Sequence, residues 1–112
     1  MVRGAEPGGA VMRKLYGKDS NHDEIKNIFL YYGFDVVDTS GFSGKMLDLL
    51  VTLGHRFFQF IETKDGNKPK SKRALTDDEK IFIAKRPDHC SIIETKEQAK
   101  AFCAHVIAGE RF

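Results

Sequence analysis

Three stretches of the chain place apolar residues at the spacing of one helix face, and each carries a helix signal at an end. The first has apolar side chains at positions 25, 28, 29 and 32, with Asn21 as its predicted N-cap and Gly33 as its stop. The other two begin with predicted capping boxes, T-D-D-E from Thr76 and T-K-E-Q from Thr95. The last helix is expected to end at Gly109.

Shorter apolar runs between these helices predict four strands, over 34–37, 46–53, 56–64 and 90–93. The second and third are separated by Gly54 and His55 and are expected to form a hairpin. The order α-β-β-β-α-β-α predicts one α/β domain over residues 19–112, with a mixed central sheet flanked by helices.

Residues 1–18 show neither the helical nor the strand spacing of apolar residues, and they contain four glycines. We expect a flexible basic arm here, which carries Arg13 and Lys14 among its cations. It is either a disordered tail or an arm that contacts DNA or crosses to a second copy of the chain.

Length and composition agree with a single globular domain. The chain has 112 residues, of which 41% are apolar and 30% charged, which suits one ordinary core. No apolar run approaches the roughly 20 residues of a membrane helix, and no secretory signal is evident. The two cysteines, Cys90 and Cys103, cannot form a disulfide scaffold. We therefore expect a cytoplasmic protein that does not enter membranes.

The net charge of +2 conceals an uneven distribution along the chain. Residues 23–63 carry six acidic and three basic side chains, whereas residues 64–73 carry one acidic and five basic ones. This pattern indicates a site that gathers carboxylates beside a surface that attracts an anion.

An acidic residue interrupts the apolar run M-L-D-L-L-V-T-L, and a second group of charges ends the next strand. Asp48 lies in this run, and Glu62 and Lys64 share one face of the following strand because side chains alternate. Two carboxylates on neighbouring strands repel each other unless a hard divalent cation lies between them. A lysine beside them would add positive charge where a phosphoryl group develops negative charge.

Strand register provides a test of this arrangement. A two-residue turn at Gly54 and His55 would pair Leu47 with Glu62 and put Asp48 on the opposite face of the sheet. A shared site for Asp48 and Glu62 therefore predicts an odd-length loop, a bulge or a bend between them.

The residues that carry this chemistry resemble the PD-(D/E)XK nuclease superfamily, and most closely the VRR-NUC proteins and the small phage-type Holliday junction resolvases. The similar segments are D-S-N-H-D-E-I (19–25), D-T-S-G-F-S-G-K-M-L-D-L (38–49), I-E-T-K-D-G (61–66) and S-K-R-A-L-T-D-D-E (71–79). The resemblance implies a restriction-endonuclease-like core, whose α-β-β-β-α-β order is that of the predicted elements.

The resemblance also implies roles for individual residues. Asp48 and Glu62 would bind Mg²⁺ or Mn²⁺, with the backbone carbonyl of Thr63 completing the inner shell. Lys64 would orient the attacking water or stabilise the transition state, and Glu24 would hold a metal-bound water or a second metal ion.

Two positions depart from the family pattern. Leu47 stands where the family usually has proline, and Glu79 stands where related proteins often have glutamine. The predicted capping box accounts for Glu79 without a catalytic role.

The candidate DNA-binding residues surround these acids in sequence. Lysines bind phosphates without reading bases, so the basic loop, residues 65–73, fits a nuclease that recognises DNA shape; alternatively it is a solvated loop. The two serines are equally well explained as turn residues. The set comprises Ser40, Ser43, Lys45, Lys68, Lys70, Lys72 and Arg73, with Arg13 and Lys14 from the arm.

The function expected from these patterns is metal-dependent, structure-selective cleavage of branched DNA by a Holliday junction resolvase, in the host cytoplasm if a phage encodes it. Two symmetrical nicks at a four-way junction imply a homodimer. The alternatives are a flap, nicking or general DNA endonuclease of the same fold, and a catalytically inactive DNA-binding module.

Overall fold

Three consecutive strands follow the first helix in a computed structural model that describes residues 21–42 and 45–110. The described elements are α1 (His22–Tyr31), β1 (Asp35–Asp38), β2 (Leu49–Leu53), β3 (Phe57–Thr63), α2 (Asp77–Lys85), β4 (Cys90–Ile93) and α3 (Lys96–Glu110). Single 3₁₀ turns cover Lys70–Lys72 and Pro87–His89. The predicted arm, with Arg13 and Lys14, and Ser43 lie outside the described residues.

The four strands form one mixed sheet in the order β1-β2-β3-β4. The pairs β1–β2 and β2–β3 are antiparallel, and β4 pairs with β3 in parallel. A parallel pair needs a long crossover connection, which here runs through the basic loop and α2. The α/β class and the mixed sheet flanked by helices are therefore as expected.

The β2–β3 hairpin has the odd-length loop that a shared site requires. Leu53 pairs with Phe57, so residues 54–56 form a three-residue loop, and Gly54 adopts a φ of 65° that favours glycine. The pairing continues to Leu49 opposite Ile61. Asp48 and Glu62 are the residues next to this last pair, Asp48 just before β2 and Glu62 within β3.

The hydrophobic core lies between one face of the sheet and the helices α1 and α3. Its fully buried side chains include Ile25 and Phe29 of α1, Val51 and Ile61 of the sheet, and Cys103 of α3. The opposite face of β3 packs against α2, because the Phe60 ring lies 4.9 Å from the Phe82 ring in an edge-to-face contact. Glu62 belongs to this second face by strand alternation.

Helix ends follow the predicted signals in part. The Thr76 capping box is complete, and Thr95 Oγ1 accepts a hydrogen bond from the Gln98 N–H. The prediction for Asn21 is wrong in detail: the residue is the N-cap of α1, but its side chain makes no cap hydrogen bond. The helix α3 continues through Gly109 to Glu110, because a glycine inside a helix weakens it without ending it.

Strand boundaries also differ from those predicted. β1 begins one residue later than expected, and β2 begins at Leu49, so Asp48 lies in a bend before the strand. Thr39 explains this late start, since its hydroxyl donates to the carbonyl of Leu47 and its N–H donates to the carbonyl of Asp48. Within the described ranges, no helix is long and apolar enough to cross a membrane.

Candidate metal centre

Two carboxylates and one ammonium group meet where β2 begins and β3 ends. Asp48 Oδ2 accepts hydrogen bonds from the N–H of Thr63 at 3.0 Å and from its hydroxyl at 2.8 Å. Glu62 Oε2 lies 3.3 Å from Nζ of Lys64. The structure thus brings together Asp48, Glu62 and Lys64 around the residue Thr63 that joins them.

Glu62 is almost completely buried, with 2% of its surface exposed. Its Oε1 has no hydrogen-bond partner among the residues that the structure describes. Burial, together with the negative charges of Asp48 and Glu79, raises the pKa of Glu62 to about 10. A buried carboxyl oxygen without a donor is the kind of group that a cation would satisfy.

Glu79 also belongs to this cluster, which the sequence prediction missed. Its Oε1 accepts from Lys64 Nζ at 3.1 Å and from the N–H of Thr76 at 2.9 Å, so one oxygen both caps α2 and binds the lysine. Burial would raise the pKa of Glu79, but hydrogen bonds from Glu62, Thr76 and Lys64 lower it. The two neighbouring carboxyl groups therefore shift in opposite directions, with the pKa of Glu62 raised and that of Glu79 lowered.

Lys64 is buried and lies between the two glutamates. Burial would lower the pKa of this ammonium, but the charge of Glu62 and the hydrogen bond with Glu79 raise it above its ordinary value. The side chain is therefore a fixed positive charge near the carboxylates.

These residues fit a hard divalent cation that keeps part of its water shell. Among the described residues, no group of three His, Cys, Asp or Glu side chains is placed to hold a metal ion. Mg²⁺, however, is commonly held by one or two carboxylates and several waters. Asp48 and the unpartnered oxygen of Glu62 are the carboxyl groups that could contribute, since the charge of Asp48 is near enough to raise the pKa of Glu62.

Glu24 is not brought to this cluster. It is exposed on α1 and lines a groove toward α3 with Ile28, Tyr31 and Lys100. This groove lies at the helices that cover the opposite face of the sheet from Glu62. The described contacts therefore do not support a role for Glu24 at the metal.

His22, two residues before Glu24 on α1, is the buried residue of the two. It is 1% exposed, and it contacts Thr63 Oγ1 through Nδ1 at 3.1 Å and Asp38 Oδ2 through Nε2 at 3.2 Å. No metal-ligand spacing marks His22 in the sequence, and only its position in the first turn of α1 hints at burial.

The basic loop follows Lys64 directly. Lys68, Lys70 and Lys72 are exposed, as a phosphate-binding surface requires. Arg73 differs, because its guanidinium donates to the carbonyl of Lys68 at 2.8 Å and pairs with Glu94 at 3.2 Å. Arg73 thus braces the loop.

Glu94, which follows β4, also accepts other contacts at its backbone carbonyl. The N–H of Gly66 donates to it at 2.9 Å, and Asn21 Nδ2 donates to it at 2.9 Å. The same Asn21 amide donates to the carbonyl of Lys64 at 3.1 Å. The end of β3, the start of α1 and the basic loop are therefore tied to one point.

The remaining candidate DNA contacts are less available than the lysines of the loop. Ser40 uses both its N–H and its hydroxyl to bind Asp38, at 3.0 and 2.5 Å, so it is held as a turn residue. Lys45 is exposed beside α2, where it lines a shallow pocket with Asp78 and Arg86.

Comparison of this chain with protein-family models, curated proteins and solved structures found no match.

Proposed function

We propose that this protein is a divalent-cation-dependent endonuclease that hydrolyses phosphodiester bonds in branched DNA, with the four-way junction as its substrate. One observation carries the proposal: Asp48 binds Thr63, the residue between Glu62 and Lys64, and its charge acts on Glu62, whose buried Oε1 lacks a donor among the described residues.

The fold supports this proposal through its connectivity. An antiparallel three-strand meander is followed by a helix and a strand parallel to β3. That is the order expected of the restriction-endonuclease-like core that the sequence resembles. The proposed site lies where β3 ends, next to the exposed lysines.

In the proposed mechanism the protein side chains hold and orient the reacting groups. Asp48 and Glu62, with the carbonyl of Thr63, would hold Mg²⁺ or Mn²⁺, which supplies charge stabilisation for the phosphate and lowers the pKa of a bound water. Glu79 keeps Lys64 in place, so that its ammonium faces the charge that develops during hydrolysis.

The exposed lysines at 68, 70 and 72 would bind the DNA backbone. Contacts between lysine and phosphate carry no base information, which suits an enzyme selective for DNA shape. A four-way junction requires two nicks, so one site per chain implies a homodimer.

The proposal is tested by incubating the purified protein with a four-way junction, a flap and a linear duplex, with Mg²⁺ or with EDTA. We expect Mg²⁺-dependent cleavage of the junction into nicked duplexes. The substitutions Asp48→Asn and Glu62→Gln should lower the rate at least about 100-fold while DNA binding persists. Asp35→Asn, at an exposed position on β1, is the matched control and should cleave normally.

Each other outcome has a defined meaning. Equal cleavage of all three DNAs would replace the resolvase with a general endonuclease of the same site. Binding of DNA without cleavage under any cation would indicate an inactive DNA-binding module. Cleavage that survives both substitutions would overturn the proposed site.

A further inference from the structure

A chain of buried hydrogen bonds leads from the edge of the sheet to Asp48. Asp38 contacts His22, His22 contacts the hydroxyl of Thr63, and this hydroxyl contacts Asp48 at 2.8 Å. Lys26 and Ser40 also bind Asp38, at 3.4 and 2.5 Å. None of these contacts is required by the proposed hydrolysis itself.

The direction of the two bonds at Thr63 follows from counting protons. The hydroxyl of Thr63 has one proton and donates it to the carboxylate of Asp48, so His22 Nδ1 must donate to Thr63. Burial would raise the pKa of Asp38, but hydrogen bonds with His22 and Ser40 keep it below its ordinary value. The chain therefore has a defined direction at its Asp48 end, from Nδ1 of His22 through the Thr63 hydroxyl to the carboxylate.

Asp48 needs such support because it precedes β2. The backbone of Asp48 lies in a bend, outside the paired part of the strand. Thr63 fixes the carboxylate by giving two donors to Oδ2, which leaves Oδ1 without a donor among the described residues. Hydrogen bonds of this kind orient carboxylate ligands in many metal sites.

We propose that Thr63, held by His22, is a positioning residue that orients Asp48 for binding a divalent cation. This inference rests on the proposed function, which makes Asp48 a cation ligand. It assigns to the Thr63 side chain, and to His22, a role that the sequence resemblance gave to neither.

The test compares two substitutions of Thr63 in the full chain. Thr63→Val keeps the shape of the side chain and removes the hydroxyl, whereas Thr63→Ser keeps the hydroxyl. We expect Thr63→Val to weaken Mn²⁺ binding about 10-fold or more, as loss of an outer-shell partner does, and Thr63→Ser to restore it. Titration calorimetry with Mn²⁺ measures the affinity, and urea unfolding measures stability separately.

His22→Leu and the double variant complete a thermodynamic cycle. If His22 acts through Thr63, the double variant should bind Mn²⁺ no more weakly than Thr63→Val alone. Cleavage of the junction should lose kcat in parallel with cation affinity at low Mn²⁺, with an unchanged KM for DNA.

Different results identify different failures. If the wild type binds Mn²⁺ and Thr63→Val binds it equally well, the positioning role is wrong and the proposed function stands. The same conclusion follows if Thr63→Ser binds as weakly as Thr63→Val, or if the effects of His22→Leu and Thr63→Val on affinity simply add. If the wild type binds no divalent cation, both proposals fall.

Discussion

Replacing Glu62 with glutamine should stabilise the cation-free protein at neutral pH. The glutamate is buried, and its raised pKa keeps it protonated far above the pH at which an exposed glutamate ionises. Glutamine has nearly the same shape and carries no charge, so it avoids the cost of burying an ionised carboxylate.

The size of this effect follows from the pKa of Glu62. The value is about 10 in the folded chain, against 4.5 for the ordinary side chain. Because the folded pKa is the higher one, the stabilisation from this group is complete below pH 4.5 and is lost as the pH rises toward 10. Each pH unit in this window corresponds to about 1.4 kcal/mol, so the upper limit at pH 7.5 is about 4 kcal/mol.

Urea unfolding in EDTA at pH 4.5 and pH 7.5 measures this difference. The wild type should lose stability between the two pH values, and Glu62→Gln should lose much less. The variant should be several kcal/mol more stable than the wild type at pH 7.5 and similar to it at pH 4.5. Glu97→Gln, which changes an exposed glutamate on α3, should follow the wild type at both.

A failure of this pattern would refute the reasoning. If Glu62→Gln gains no stability at pH 7.5, or if its stability falls with pH as steeply as that of the wild type, the pKa of Glu62 is not strongly raised in the folded chain. A variant that gains stability but loses cation binding would show that Glu62 is needed for function although it lowers the stability of the folded chain.

Three further predictions follow from other contacts of the site and its loop. Glu79→Gln removes a negative charge that raises the pKa of Glu62, so the affinity for the cation at pH 7 should increase. Calorimetry should also show fewer protons released for each ion bound. An unchanged affinity would contradict this coupling between Glu79 and Glu62. Neutralising the three exposed loop lysines should lower the slope of log DNA affinity against log salt concentration by up to about three, measured by fluorescence titration. The same change at three lysines elsewhere should leave the slope unchanged. The loop set is Lys68, Lys70 and Lys72, and the control set is Lys80, Lys85 and Lys100. Gly66→Ala should lower the free energy of unfolding by about 1–3 kcal/mol, because the new Cβ would lie 3.0 Å from Thr95 Cγ2 and 3.1 Å from the carbonyl of Glu94, whereas Gly109→Ala meets no atom within 4 Å and should not destabilise.

Local sequence signals predicted the elements that have strong local causes. The capping box at Thr76 has both of its hydrogen bonds, and Gly33 follows α1 with a positive φ of 92°. The strand over Cys90–Ile93 has the predicted bounds. The sequence also predicted that a shared site for Asp48 and Glu62 needs an odd-length loop, a bulge or a bend between them, and the hairpin has a three-residue loop.

Other features depend on contacts between distant segments, which a single sequence does not reveal. The shift of the β2 start to Leu49 comes from Thr39, and the side chain of Asn21 is drawn from its helix to the carbonyls of Lys64 and Glu94. Glu24 and His22 are two residues apart on α1, and a helix turns them to different sides, so the buried member could not be chosen from spacing alone.

The attachments at Glu94 have a consequence for how DNA would be held. Gly66 and Arg73 bind the two ends of the segment that carries the lysines, so this segment has already lost its backbone freedom when the protein folds. DNA binding there would not require this segment of backbone to become ordered. The conformational entropy lost on binding would come mainly from the lysine side chains. The loop would then act as a rigid surface that binds a bent or crossed duplex only if the phosphates of that duplex match the positions of the lysines.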